Sequence, residues 1–232
     1  MHNKTSIITS EANMKAERAA AKLGTNGFVV IPNFWQEEEC KSLEKKVSVL
    51  MKKVKTKETY ECDKYFVNSM SKKRLKGARQ MVEYHKPVIQ VRHRLEYDTG
   101  LIDIFNADRL FDLESFRSNE FINKVLKIIN SKLKIRNINI YINNSITKTR
   151  DYHRDSSKNK QFKAFVYLTD VSKLSCGPYS YIEGSHLGSN HKTHVFTAPR
   201  GTLIISNQSG LHRGMPQELG KKRVLLVANI VK

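Results

Sequence analysis

Apolar and polar positions along this chain repeat with two different periods, and the change between them divides the sequence. Apolar residues recur at helical spacing over residues 11–23 and again from residue 36 to about residue 55. Between these helices, residues 27–32 form a short apolar run closed by a proline, which is typical of a strand. The buried stripe of the second helix is predicted to consist of Cys40, Leu43, Val47, Leu50, Met51 and Val54.

Farther along the chain the period becomes two, the spacing that strands require. Residues 88–97 indicate a strand with Gln90, Arg92 and Arg94 on one face. One more helix is predicted over residues 121–133, with Ser118 as a candidate cap. Beyond it, apolar residues alternate with polar or aromatic ones. Further β runs cover residues 138–142, 162–169, 201–206 and 223–231.

These elements predict a mainly β fold with N-terminal helices, in the α+β class. Short strands separated by Gly, Pro, Asn and Ser turns favour a sandwich or a jelly-roll barrel. We expect one domain over residues 1–232, with a helical part at about 1–134 and a β-barrel part at about 135–232. Residues 56–86 are basic and irregular, and they predict no element.

Composition adds a strong positive charge to this picture. The chain has 41 Lys and Arg against 22 Asp and Glu, a formal net charge of +19, which is compatible with nucleic-acid binding. The lysines are spread along the whole chain, however, so a nucleic acid is the less favoured partner and a small anionic substrate the more favoured one.

The cysteines and the N-terminal sequence indicate the cellular compartment of the protein. Cys40, Cys62 and Cys176 are few, odd in number and widely spaced, which argues against a disulfide framework and for a reducing environment. The N-terminus has no long apolar stretch, so neither a signal peptide nor a membrane span is predicted. We therefore expect a cytoplasmic protein.

Candidate chemistry lies in an H-x-D step and a later histidine. His153 and Asp155 stand just before a predicted strand, and His212 follows the run at residues 201–206. Two imidazoles and one carboxylate are the facial triad that holds non-haem Fe(II) and leaves positions open for substrate and O2. A lone H-x-D is weak evidence, since Asp155 could simply accept a hydrogen bond near a surface histidine.

Arg223 opens the last predicted strand, eleven positions after His212. A guanidinium presents a planar fork of donors that suits a carboxylate, so Arg223 is a candidate anchor for a dicarboxylate co-substrate. The alternative is a surface strand residue in a basic run, because two lysines directly precede it.

Several motifs follow one another along the chain in a fixed order. They are Asn26-Gly-Phe-Val-Val-Ile-Pro-Asn-Phe34, Glu37-Glu-Glu-Cys40, His153-Arg-Asp155, Tyr167-Leu-Thr-Asp-Val171, Gly177-Pro178, Gly184-Ser-His186, His212-Arg-Gly214 and Arg223. In these motifs and their order, the chain resembles the phytanoyl-CoA dioxygenase family of Fe(II)/2-oxoglutarate-dependent oxygenases. The resemblance covers about residues 24–55 and 135–232.

This resemblance implies a double-stranded β-helix (a cupin-like jelly roll) that binds Fe(II), 2-oxoglutarate and O2. It implies that His153, Asp155 and His212 are the iron ligands, that Arg223 anchors the co-substrate, and that His186 is a structural turn residue. Gly214 departs from the pattern, because some members have a hydroxyl residue there. A carboxylate at Asp155 disfavours halogenation, since halogenases of this superfamily have a small residue at that position.

Five further residues are candidates for the pocket. Lys163 and Phe165 share a strand face after the H-x-D step, where Lys163 could meet a co-substrate or substrate carboxylate and Phe165 could form a wall. Tyr141 alternates with isoleucines and could face inward beside the co-substrate. Arg92 and Arg94 could bind an anionic substrate. Surface or core roles without function are the alternative for all five.

The sequence thus predicts an Fe(II)/2-oxoglutarate-dependent dioxygenase that hydroxylates a C–H bond of a small metabolite and releases succinate and CO2. Two alternatives remain at this point. One is a basic nucleic-acid-binding or nucleic-acid-modifying protein, which the net charge suggests. The other is a metal-binding barrel without oxygenase activity.

Overall fold

The computed structural model describes residues 2–54, 58, 61–67, 72–74, 86–155, 161–189 and 192–232. Its α-helices are α1 (His2–Thr25), α2 (Glu37–Lys53), α3 (Glu114–Arg117) and α4 (Glu120–Ile129). Within these described ranges, no helix has both the length and the apolar character that crossing a membrane requires.

The predicted helices are confirmed, with differences at their ends. α1 extends well before the predicted residue 11. α2 starts with a backbone amide of Gln36 donating to the Glu39 carboxylate at 2.9 Å, as the acidic first turn favours. α4 is capped by Asn119, whose side chain accepts from the Ile122 amide at 3.1 Å, and Ser118 instead closes α3.

The strands form two antiparallel sheets. In chain order they are β1 (Phe28–Ile31), β2 (Cys62–Val67), β3 (Lys72–Arg74), β4 (Val88–Arg92), β5 (Ile102–Phe105), β6 (Lys134–Asn144), β7 (Phe162–Tyr167), β8 (Tyr179–Ile182), β9 (Thr193–Phe196), β10 (Leu203–Asn207), β11 (His212–Gly214) and β12 (Lys222–Val231). The large sheet has the order β1-β10-β7-β12-β6-β5-β4-β2-β3, and the small sheet has the order β11-β8-β9.

Alternation along the central strands separates two apolar layers. On β7, Ala164 and Val166 belong to the cluster shared with α1, α2 and α4, whereas Phe165 and Tyr167 belong to a second cluster. That second cluster includes Tyr181 from the small sheet, so it lies between the two sheets. Helices therefore cover one face of the large sheet, and its other face lies toward the small sheet.

The part of the chain at about 1–134 holds strands as well as helices. Five strands, β1 to β5, lie there, of which the runs at 27–32 and 88–97 were predicted, and all five join the same large sheet as β6, β7, β10 and β12. β2 was not predicted because the buried polar residues Asp63 and Lys64 interrupt any apolar period. The mainly antiparallel, β-rich fold with few helices is confirmed, and a closed jelly-roll barrel stays a prediction.

The expected strand at 88–97 is shorter than predicted. β4 ends at Arg92, because the chain then turns so that the Gly100 amide can donate to the Arg92 carbonyl at 2.9 Å. Arg94 therefore does not share a strand face with Arg92.

Candidate metal centre

His153, Asp155 and His212 come together in space, although 59 positions separate the two histidines in the chain. Oδ1 of Asp155 lies 3.6 Å from Nε2 of His153 and 3.7 Å from Nε2 of His212. The three ligand atoms all lie within 4.8 Å of one another. Two atoms that each bind one ion at ~2.1 Å can be at most about 4.2 Å apart, so either carboxylate–imidazole pair can share an ion.

Backbone hydrogen bonds join the two ligand-bearing segments. His153 and His212 form an antiparallel bridge, with each amide donating to the other residue's carbonyl at 3.0 Å. Two residues on, the Asp155 amide donates to the Gln208 carbonyl at 3.0 Å. Main-chain pairing therefore holds the two ligand-bearing segments side by side.

Both imidazoles present the same nitrogen to the site. Nδ1 of His153 lies 2.8 Å from the Asp151 carbonyl, and Nδ1 of His212 lies 2.9 Å from the Gly210 carbonyl. A carbonyl only accepts, so each Nδ1 carries the proton and each Nε2 has its lone pair free toward Asp155. Burial, above all, lowers the pKa of His212 to about 4, which makes this imidazole neutral at pH 7 and ready to bind a metal.

Lys163 contacts the other oxygen of the carboxylate. Its Nζ lies 2.6 Å from Oδ2 of Asp155, within a charge-assisted hydrogen bond. Burial alone would raise the pKa of the Asp155 carboxyl, but Lys163, with help from the two histidines, brings it below its ordinary value. Asp155 is therefore ionised at neutral pH, as a metal ligand must be.

Arg213 braces the segment that precedes His153. Its guanidinium donates to Thr149 Oγ1 at 2.9 Å and pairs with the Asp151 carboxylate at 3.3 Å. It also lies over the ring of Tyr152, with its Cζ 5.6 Å from the ring centroid. Because Arg213 directly follows His212, these contacts reinforce the pairing of the two ligand-bearing segments.

The triad opens into a cavity of about 220 Å³ between the large sheet and the small sheet. Its lining comes from seven strands and from the segments between strands, among them the one that carries His153 and Asp155. The side chains that line it include Arg92, Asp98, Asp103, Tyr141, Arg150, Lys163, Phe165, Tyr179, Gln208, Arg223, Leu225 and Val227. Pockets for drug-sized ligands span roughly 300–1,000 Å³, so this cavity suits a small co-substrate and the reactive end of a substrate.

Arg223 is a buried cation in this cavity, and no carboxylate in the described ranges of the chain pairs with it. It is 4% exposed, its Nε lies 3.4 Å from the Asn143 amide oxygen, and its Nη1 is buried with no hydrogen-bond partner among the described residues. Burial lowers its pKa, but a guanidinium still remains charged at neutral pH. An uncompensated buried charge is costly unless an anion joins it, so Arg223 is a candidate anion site.

Gly214 makes room for this guanidinium. A Cβ at that position would lie 3.0 Å from Nη2 of Arg223. Some members of the phytanoyl-CoA dioxygenase family have a hydroxyl side chain at this position. In this chain the guanidinium of Arg223 lies where such a side chain would be.

The structure places four of the five remaining candidates on the cavity. Tyr141, Lys163, Phe165 and Arg92 line it, as their strand faces indicated. Arg94 does not, because its side chain is 69% exposed and its Nε pairs with Glu58 at 2.8 Å.

Several lining residues were missed by sequence reasoning. Asp98 and Asp103 lie 3.3 Å from the two terminal nitrogens of Arg92, so the charge of Arg92 is largely compensated. Arg150 also pairs with Asp98, at 3.1 Å. Asp103 could have been identified only from the alternation of side chains along β5. Asp98 and Arg150 lie in loops, where apolar and polar residues do not repeat with a regular period.

His186 lies apart from the triad. It sits in the single turn of 3₁₀ helix at Ser185–Leu187, and its Nε2 donates to the Gly24 carbonyl at the end of α1 at 3.0 Å. This position agrees with the structural turn role that the resemblance implied.

No family model and no curated protein sequence matches this chain. Among solved structures, the chain is similar to the non-haem α-ketoglutarate-dependent epimerase SnoN from nogalamycin biosynthesis, at 13% identity and a TM-score of 0.66, over 94% of this chain and 84% of SnoN. It is also similar to the non-haem α-ketoglutarate-dependent carbocyclase SnoK from the same biosynthesis, at 14% identity and a TM-score of 0.66, over 94% and 85% of the two chains.

A third similar structure is HygX from Streptomyces hygroscopicus, solved with nickel and 2-oxoglutarate bound. It is 13% identical, with a TM-score of 0.62 over 92% of this chain and 86% of HygX. SnoN has also been solved with Fe3+, α-ketoglutarate (2-oxoglutarate) and nogalamycin RO. At these identities the likeness defines the fold: the chain has the fold of non-haem 2-oxoglutarate-dependent enzymes.

Proposed function

We propose that this protein is an Fe(II)/2-oxoglutarate-dependent dioxygenase that hydroxylates a C–H bond of a small metabolite. The observation that carries the proposal is the convergence of His153, Asp155 and His212 at a cavity that also holds the buried guanidinium of Arg223. Two neutral imidazole nitrogens and one carboxylate oxygen are the donor set of non-haem Fe(II) oxygenases, with one face of the ion left open.

The proposed reaction combines R–H, 2-oxoglutarate and O2 and yields R–OH, succinate and CO2. Bound iron, with the co-substrate and O2, supplies an oxidant able to break an unactivated C–H bond. The protein's own contribution is to hold the reactants and to exclude water. Apolar lining residues such as Phe165, Leu225 and Val227 suit the second task.

Arg223 is proposed to hold the far carboxylate of 2-oxoglutarate, since no acidic side chain that the structure describes pairs with its guanidinium. Tyr141 is proposed to donate to the same ligand. The Asn139 amide donates to the Tyr141 hydroxyl oxygen at 3.4 Å, so the hydroxyl proton stays available to the cavity. Phe165 and Arg92 are proposed to contact the substrate, while the outward-facing Arg94 is left out of the proposal.

A small molecule is favoured over a nucleic acid as substrate because the cavity holds only about 220 Å³ and lies between two sheets. Its charges also nearly balance. Arg92, Arg150, Lys163 and Arg223 face three carboxylates, so the high net charge of the chain is not concentrated here. The ordered motifs support placement near the phytanoyl-CoA dioxygenase family.

Anaerobic spectroscopy tests the proposal. We expect Fe(II) and 2-oxoglutarate together to produce a metal-to-ligand charge-transfer band, and air to trigger succinate release. Absence of the band, or a band of equal intensity in an Asp155→Ala variant, would contradict the proposed function.

The reaction outcome needs a separate measurement, because proteins of this fold include an epimerase and a carbocyclase. We expect metabolites incubated with the iron-loaded protein and ¹⁸O2 to gain one labelled oxygen atom. A product of unchanged mass would indicate epimerisation instead, and loss of two hydrogen atoms would indicate ring closure or desaturation.

Gly214→Ala is predicted to weaken 2-oxoglutarate binding about fivefold. The new methyl group would lie 3.0 Å from Nη2 of Arg223 and displace the guanidinium, at a cost of ~1 kcal/mol for overpacking. Calorimetric titration of the metal-loaded protein with 2-oxoglutarate measures the change.

Gly24→Ala is the matched control, since a Cβ there meets nothing within 4 Å. Equal 2-oxoglutarate affinity in both variants would contradict the prediction. It would mean that Arg223 does not bind the co-substrate, or that its guanidinium can shift without lowering the affinity.

A further inference from the structure

The two oxygens of Asp155 have different partners. Oδ1 faces the Nε2 atoms of His153 and His212, at 3.6 and 3.7 Å. Oδ2 accepts a hydrogen bond from Lys163 Nζ at 2.6 Å. We propose, on the basis of the function proposed above, that Lys163 is a positioning residue: it occupies Oδ2, restricts Asp155 to one metal-binding oxygen, and so keeps a coordination position open for the co-substrate.

Strand pairing holds Lys163 in this place. It lies on β7 with Ser206 of β10 on one side and Asn229 of β12 on the other. Its neighbours along the strand, Phe162 and Ala164, point to the opposite face and pack in the helix-covered core. Because side chains alternate across a strand, Lys163 can point only toward the cavity, and small polar neighbours leave its path to Asp155 clear.

Lys163 differs from the other cations of the cavity. Arg92 pairs with Asp98 and Asp103, and Arg150 pairs with Asp98. Arg223 has no acidic partner within the residue ranges that the structure covers. In the part of the chain that the structure describes, Lys163 is the one cation in contact with a carboxylate of the triad.

The open position matters because the proposed reaction uses every free site. Three protein ligands leave three positions, of which a 2-oxo acid fills two and O2 the third. If both oxygens of Asp155 bound the ion, one of those positions would be lost. An ammonium at 2.6 Å from Oδ2 opposes this, because turning that oxygen to the metal would break a charge-assisted hydrogen bond in a partly buried site.

This proposal changes the role expected for Lys163. The lysine is engaged by Asp155 before any ligand arrives, so one of its three N–H donors is committed to Oδ2. The co-substrate carboxylate is assigned in the proposal to Arg223, whose Nη1 has no hydrogen-bond partner among the described residues.

Lys163→Met tests the proposal, because methionine has a similar length and neither charge nor donor. The variant is loaded with Mn²⁺ or Co²⁺ in the absence of 2-oxoglutarate. We expect the water-proton relaxivity of the Mn²⁺ form to fall by roughly one third, as three open positions become two. We also expect the visible absorption of the Co²⁺ form to change, and 2-oxoglutarate to bind about tenfold more weakly.

Lys163→Arg keeps a cationic donor and is expected to retain the wild-type relaxivity and spectrum. Circular dichroism establishes that both variants are folded. An unchanged Mn²⁺ relaxivity and Co²⁺ spectrum in Lys163→Met would overturn the proposal, even with weaker 2-oxoglutarate binding, since that pattern means direct contact with the co-substrate. Failure of the wild type to bind either metal would instead refute the proposed function itself.

Discussion

Replacing Asp155 with alanine is expected to lower metal affinity more than a hundredfold and to abolish succinate release. Asp155 contributes the only carboxylate of the triad, and its Oδ1 lies within 3.7 Å of both imidazole nitrogens. A four-ligand metal site gains ~10–16 kcal/mol on binding its ion, so one ligand accounts for about 3 kcal/mol. Titration of the metal-free protein with Co²⁺ measures the loss.

Asp151→Ala is the matched control for this prediction. Asp151 is an aspartate four positions earlier whose carboxylate is 92% exposed and pairs with Arg213, while its main-chain carbonyl accepts from His153. Alanine keeps that carbonyl, so metal affinity should stay near the wild-type value. A loss of the same size in both variants would show that general disruption of the segment, and not ligand removal, explains the effect.

The second large effect is expected for Arg223→Met, which should weaken 2-oxoglutarate binding and leave the stability of the ligand-free protein intact. Truncating one partner of a buried charge pair costs roughly 2–5 kcal/mol of binding, so 2-oxoglutarate affinity should fall at least about thirtyfold. The ligand-free protein should lose no stability, because the arginine is 4% exposed and its charge has no acidic partner among the described residues. Calorimetry and thermal unfolding measure the two quantities.

Arg200→Met controls for the removal of a largely buried arginine elsewhere. Arg200 pairs with Glu44 at 3.5 Å, on the side of the sheet that the helices cover. Its loss should leave 2-oxoglutarate affinity unchanged and cost at most about 1 kcal/mol of stability. The interpretation of Arg223 fails if Arg223→Met binds 2-oxoglutarate normally, or if it unfolds at a much lower temperature than the wild type.

Local sequence patterns predicted much of the fold because their physical causes are local. A helical repeat such as that of Cys40, Leu43 and Val47 buries one stripe whatever the stripe contacts, and all three residues are buried in α2. The alternation on β7 likewise predicted which residues face the helices. Strands β2 and β3 escaped prediction because β2 buries Asp63 and Lys64, whose pairing with β4 is a tertiary effect.

The candidate site was predictable to the extent that residue type limits chemistry. His153, Asp155 and His212 were identified by the donors they carry, and the structure brings them together. Asp98 was not identifiable, since its role depends on two arginines, one 6 and one 52 positions away along the chain. Lys163 was predicted to face the pocket, and it lines the cavity. Its contact with Asp155 was not predicted, because it joins β7 to a segment that precedes this strand.

By itself, the sequence determined the inventory: helices followed by strands, two histidines and an aspartate with metal-ligand chemistry, and an arginine suited to a carboxylate. Only the tertiary structure decided how these parts act on one another. It pairs the main chains of His153 and His212, and it buries Arg223 with no acidic partner among the described side chains. It also directs one oxygen of Asp155 to the two histidines and the other to Lys163. The physical reason is that donor type and periodicity belong to single residues and short segments, whereas burial and charge pairing arise between segments far apart in the chain.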